Sequence, residues 1–183
     1  MNLLLSFLII LVLLLSAHYD MRRGKIPNLL TYPAICIALL FHILDSGLNG
    51  FITGLSGTAL GIGLFIIPYA IGAAGAGDAK LMGAVGAALG PKGVFGAAIV
   101  IFLLGGLYAL GLLLYKERAY GLALLSRWKT TSLALVRTGQ WAPAPAVTEK
   151  GKGAPRLRYG VVIALGTCAY MAINYAGYDL FYN

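Results

Sequence analysis

Acidic side chains are scarce in this chain: six Asp and Glu residues stand against fourteen Lys and Arg in 183 residues, and charged residues of both signs make up only 11%. Cysteine is nearly absent. Cys36 and Cys168 lie far apart in apolar runs and form no CxxC, which excludes a zinc ribbon or a thioredoxin-like motif and leaves them as small apolar packing residues. No Lys or Arg precedes the apolar stretch from Asn2 to Ala17, and the positive charges follow it at Arg22, Arg23 and Lys25. That order excludes a secretory signal peptide and predicts a retained first helix with its N-terminus outside. No unit of 20–50 residues repeats. The only short glycine motif of note, Gly75-Ala76-Gly77-Asp78, is not GxGxxG and follows no strand, so a dinucleotide site is disfavoured.

What is present is apolar length. The chain is 60% hydrophobic, with a mean hydropathy of +0.84. Several runs reach or approach the roughly 20 residues that cross a hydrocarbon core about 30 Å thick. The pattern predicts an all-α integral membrane protein, 1–183 as a single domain, with six transmembrane helices at 2–19, 26–44, 51–72, 76–90, 93–115 and 159–181. The fourth is short, with Pro91-Lys92-Gly93 turning the chain into the fifth. Gly57-xxx-Gly61 and Gly86-xxx-Gly90 have the spacing that lets membrane helices approach closely.

Charge sets the orientation. The first loop carries Arg22, Arg23 and Lys25, the third carries Lys80, and 116–158 carries nine more, so the odd-numbered loops hold all the basic residues except Lys92. The positive-inside rule places those loops in the cytoplasm and both termini outside, in a multi-pass protein of the inner (cytoplasmic) membrane. The net charge of +8 then reads as a cytoplasmic face attracted to anionic lipid. Nothing pairs a basic patch with a nucleic-acid-binding fold, so nucleic acid is not an expected partner. Within 116–158, the stretch "YGLALLSRWKTTSLALVRTGQW" suits an amphipathic interfacial helix, and "APAPAVTEKGKGAP" suits a flexible linker.

Each acid can be placed on this topology. Asp45 and Asp179 fall at outer ends, and Glu117 and Glu149 sit in the basic loop. Asp20 comes at the cytoplasmic end of the first span, and Asp78 at the cytoplasmic start of the fourth. The topology therefore brings both to one membrane face. Structural roles compete with a functional one: Asp78 could stabilise a helix N-terminus, and Asp20 could pair with Arg22, Arg23 or Lys25. Carboxylates at the edge of hydrocarbon are, however, functional candidates by default. Gly75 and Gly77 have no side chain to block the approach of another backbone, so a peptide bond could reach Asp78 in extended form. Two carboxyls about 3 Å apart cannot both ionise easily. The ionised member would take a proton from water while the protonated one donates to the carbonyl oxygen of the scissile amide, with no metal or cofactor required. Ser16, His18 and Asp20 cannot form a triad on a helix, because residues two apart point about 200° away from each other. His42 has no neighbouring ligand and reads as a bundle or interface histidine.

At these residues the chain resembles the type IV prepilin peptidases, membrane aspartic proteases with a GxGD motif. The resemblance rests on Gly75-Ala76-Gly77-Asp78 continued by Ala79-Lys80-Leu81, and on Asp20 followed by Lys25-Ile26-Pro27-Asn28. It is closest to the short members serving tight-adherence (Flp) pili, which lack the methyltransferase segment between the first two spans. The resemblance implies removal of prepilin leader peptides at the cytoplasmic face, with Asp20 and Asp78 as the catalytic pair. Gly75, Gly77, Lys80, Lys25, Pro27 and Asn28 would support the site or the substrate, Lys80 by orienting Asp78. One departure stands out: short members often begin the last span with a PYG-like sequence, and here Arg158 holds the proline position before Tyr159-Gly160. Two other classes compete. A small proton- or cation-coupled transporter could use Asp20 and Asp78, although transporters usually place such acids near the midplane and often show inverted repeats. A scaffold subunit of a pilus machine would tolerate Asp→Asn at both.

Overall fold

The computed structural model describes residues 3–70, 72–115 and 159–177. The interfacial helix and linker expected within 116–158, and the end of the last span, lie outside them. The described chain is helical throughout its regular structure: α1 (Leu3–Arg23), α2 (Asn28–Ala70), α3 (Ala76–Tyr115) and α4 (Tyr159–Tyr175). Three of these, α1, α2 and α3, are long and apolar enough to cross a membrane, and α4 is a shorter apolar helix.

Two of the four helices are folded double. α2 breaks at Ser46 and Gly47, where Gly47 takes φ 59° and ψ −137°, a region that costs a residue without Cβ nothing. Past that point the chain reverses: the bare Cα of Gly50 rests on the His42 carbonyl, and that of Gly54 on Leu39. α3 breaks at Gly90, φ 70°, and Pro91 opens the second leg at the position where a missing N–H is harmless. This leg also folds back. Gly61 abuts the Met82 carbonyl, yet Phe65, one turn along, stacks on Phe102 with ring centroids 5.5 Å apart. In a straight helix residues 82 and 102 would be about 30 Å apart. The expected loops at 45–50 and 91–93 are therefore single-residue or two-residue reversals at glycine, tighter than the hydropathy pattern indicates.

The result is six helical legs, and their turns alternate between two ends. One end gathers the 24–27 connection, the 72–75 connection, the end of α3 and the start of α4. The other holds the reversals at Ser46–Gly47 and Gly90. Arg22, Arg23, Lys25 and Lys80 belong to the first end, Asp45 and Lys92 to the second. At the first end α1 stops cleanly: Gly24, at φ +60°, donates its N–H to the Asp20 carbonyl at 2.9 Å, a left-handed C-terminal cap. Arg22 and Arg23 in that last turn complement the helix dipole.

Small residues hold the legs together. The second leg of α2 and the first leg of α3 meet backbone to backbone, Gly57 against Gly86, as their spacing in the sequence suggests. Gly166 of α4 likewise sits on Ile101 of α3, where an added Cβ would be 2.5 Å from its Cγ1. Between lipid-facing apolar helices the association comes from such close packing rather than from exclusion of water. Leu81, Met82, Ala84, Val85, Ala87, Val94, Ala97 and Ile101 are wholly buried, which makes α3 the central helix. The cysteines divide: Cys168 packs against the core, whereas Cys36 is exposed on the outer face of α2 and is not the internal packing residue expected. His42 belongs to the α2 hairpin, its ring against Gly54.

Gly86→Ala should destabilise the protein by about 1–3 kcal/mol, because the methyl would land on the Gly57 carbonyl. Gly63→Ala, at a helical glycine with nothing within 4 Å, should be neutral or stabilising by up to about 1 kcal/mol. Thermal unfolding of the two variants in the same detergent checks both.

Candidate active site

Asp20 occupies the last turn of α1, and Asp78 the first turn of α3, both at the same end of the bundle. Each is 7% exposed. They are near enough for the charge of one to act on the other, as the topology predicts.

Asp78 is held from within its own helix. Gly75 is the residue before the first helical position, and its N–H donates to Asp78 Oδ2 at 2.7 Å while its carbonyl accepts the Asp78 N–H at 3.0 Å. The first of these bonds is the N3 half of a capping box, with Asp in place of Glu or Gln; glycine has no side chain to supply the other half. The helix-stabilising role considered for Asp78 is thus real, and it fixes the carboxyl in place. A Cβ at Gly75 would make only ordinary contact with Oδ2, at 3.4 Å.

Gly77 serves a different contact from the one the sequence suggests. A Cβ on it would be 3.1 Å from the Ile26 Cβ and 3.4 Å from the Ile26 nitrogen. The close backbone approach that glycine permits is made by the chain's own 26 segment. Lys80 also departs from expectation. Its ammonium donates to Asn28 Oδ1 at 2.9 Å and lies 5.2 Å from the centroid of the Tyr32 ring. Lys80 does not orient Asp78 directly, because residues two apart on a helix face opposite ways. It ties the start of α3 to the start of α2. The two motifs Lys25-Ile26-Pro27-Asn28 and Gly75–Lys80 are therefore one construction, joined by Gly77 to Ile26 and by Lys80 to Asn28. Pro27 lies between these contacts, half-buried, with its carbonyl accepting the Leu30 N–H at 3.1 Å, and Lys25 is exposed.

Asp20 is held from far away. The Gly160 N–H, in the first turn of α4, donates to Asp20 Oδ2 at 3.0 Å. Beside it, the Tyr159 ring packs edge-on against Phe65, centroids 6.4 Å apart, and the phenol interacts electrostatically with Asp78. Spacing marks neither Gly160 nor Tyr159 as a site residue; the resemblance draws attention to Tyr159-Gly160 only as the start of the last span, with no role in holding an acid. Arg158 lies outside the described residues. Ser16 and His18 part company as the helical spacing requires: Ser16 is fully buried on the Asp20 face, with its hydroxyl unpartnered, while His18 is exposed and stacked edge-on with Tyr19.

The described residues thus form a bundle of apolar helices, three of them long enough to cross a membrane, with two acids buried at one end. The family model for the type IV leader peptidase family matches residues 7–110, and the chain belongs to that family. It is, on that ground, a peptidase-type membrane protein of the prepilin leader peptidase kind. No curated protein and no solved structure matches it.

Lys80→Ala and Asn28→Ala should each lower stability by about 0.5–1.5 kcal/mol. Because both remove one bond, the double variant should lose less than the sum, a coupling that a double-mutant cycle by thermal unfolding will read.

Proposed function

We propose that the protein is a membrane aspartic endopeptidase that removes the leader of type IV, Flp-like prepilins at the cytoplasmic face of the inner membrane, with Asp20 and Asp78 as its catalytic pair. The observation that carries this reading is the burial of both carboxyls at one end of the bundle, each holding a backbone N–H and each within reach of the other's charge. Family membership supplies the reaction class. Six spans with both termini outside, and the basic connections inside against anionic lipid, complete the picture. The alternation of the turns supports it, since Arg22, Arg23, Lys25 and Lys80 share the end that holds the acids.

The chemistry follows from two carboxyls that cannot both ionise easily when close. The ionised one removes a proton from water as the oxygen attacks the scissile carbonyl carbon. The protonated one donates to the carbonyl oxygen, giving a tetrahedral diol. Its collapse returns a proton to the leaving amine, breaks the C–N bond and restores one proton shared by the pair. A low-dielectric end of an apolar bundle strengthens each of these interactions relative to water. A transporter reading is less well supported: the acids lie at one end of the bundle rather than at its middle.

Co-expression with a Flp-like prepilin provides the test. Wild type should convert the prepilin to the shorter mature form on a gel. Asp20→Asn and Asp78→Asn should each slow conversion by at least about 100-fold, the low end of what positioned acid–base groups contribute, while both proteins still accumulate in the membrane. Processing that persists in either variant removes the acid pair from the mechanism.

A further inference from the structure

The first turn of α4 reaches the site from a part of the chain that neither acid's own motif contains. Gly160 stands 140 residues from Asp20 along the sequence, and its buried N–H donates to Oδ2. The N–H groups of a helix's first turn have no intrahelical acceptor, so this donor is available without cost to α4. Any residue but proline could supply it. The space around it is another matter. A methyl group on Gly160 would lie 2.9 Å from Asp20 Oδ2, 3.0 Å from its Cβ and 3.1 Å from its Cγ. The whole acid side chain leans on a bare Cα.

The turn that provides this contact is itself anchored. Tyr159 packs edge-on against Phe65, which is fully buried and stacks on Phe102. Gly105 of α3 makes room for the tyrosine, since a Cβ there would be 3.2 Å from Tyr159 Cε1. The start of α4 is thus fixed to α2 and α3 while it grips an acid on α1. Asp20 sits at the end of its own helix, where the local cap, Gly24 N–H onto the Asp20 carbonyl, is a backbone contact.

We propose that Gly160 is a positioning residue for the acid pair: its N–H and its missing side chain together set the direction in which the Asp20 carboxyl faces Asp78, with Tyr159 as the anchor that holds Gly160 in place. The proposal deepens the peptidase reading and rests on it for its catalytic consequence. Reactive groups tolerate little displacement, a shift of about 1 Å being enough to cost about 100-fold in rate. A methyl 2.9 Å from a carboxylate oxygen, where ordinary contact begins at 3.4 Å, forces a shift of about half that, or loss of the N–H contact.

Two measurements on the full chain in detergent test it. In leader-removal assays, Gly160→Ala should lower kcat by about 10-fold to 100-fold and leave KM for the prepilin within about twofold, because the substrate's binding surface is untouched. A purely structural role would reduce the active fraction in proportion to lost stability. Thermal unfolding then supplies a readout that needs no activity. Gly160→Ala should lower Tm in the wild-type background, and Asp20→Ala, which removes two of the three crowding atoms, should relieve most of that loss. Additive Tm effects, or kcat unchanged in Gly160→Ala, would overturn the proposal. Should Gly160→Ala alone fail to accumulate, its recovery in the Asp20→Ala background supports the contact, and failure in both overturns it. If wild type does not cleave prepilin, the peptidase reading fails while the Tm cycle still decides whether Gly160 and Asp20 are coupled.

Discussion

A carboxyl group taken out of water must find hydrogen-bond donors, and this chain has few polar side chains with which to supply them. Both buried acids meet that need in the same way, with a backbone N–H from a glycine at a helix N-terminus: Gly75 for Asp78 and Gly160 for Asp20. First-turn N–H groups are the natural source, being the ones that the helix itself leaves unsatisfied and that carry the positive end of its dipole. At Gly160 the carboxyl also needs room beside the donor's Cα, since a Cβ there would be 2.9 Å from the acid oxygen, whereas at Gly75 a Cβ would make ordinary contact at 3.4 Å. The rest of the bundle can be read as the means of bringing two such helix ends to one place.

That convergence depends on legs that reverse without loops. Gly47 and Gly90 turn the chain at positive φ, so α2 and α3 each descend and return within one helical element. The reversals sit at the end opposite the acids, which places the start of α2, the start of α3 and the start of α4 together. Backbone contact through Gly57, Gly61 and Gly86 then draws the inner legs close. Shortening the distance between helix axes matters here because Ile26 must reach Gly77, and Asn28 must reach Lys80, from a neighbouring helix.

Much of this was legible in the order of residues. Apolar length and charge bias placed Asp20 and Asp78 at one end, because topology fixes the end on which a residue lies without reference to packing. The small-residue spacing at Gly57 and Gly86 marked a real contact. What the sequence left open was partnership across distance. Gly77 read as an opening for an incoming peptide because periodicity carries no information about Ile26, which fills that space from the 24–27 connection. Lys80 read as a partner of Asp78 because the two are neighbours in sequence, although helical geometry turns them apart. Cys36 looked internal since an apolar run in a membrane helix has two apolar faces, and only packing distinguishes the one turned to lipid. Gly160 is marked only as part of the Tyr159-Gly160 start of the last span, and nothing in that pattern points to Asp20.

The two acids therefore differ in what their placement requires. Asp78 is oriented by a cap closed within four residues, so its geometry is present as soon as the first turn of α3 forms. Asp20 gains its Gly160 donor when α4 has docked on α2 and α3 through Tyr159 and Phe65 and has met α1. Residues 7–110, the extent of the family match, contain both acids and the whole of the Ile26–Lys80 construction but not the donor to Asp20. A segment of that extent would carry the motif without the geometry. Joining the acid whose position is local to the acid whose position is tertiary makes the pair a property of the assembled bundle. The donor to Asp20 is in place only once the last described helix is.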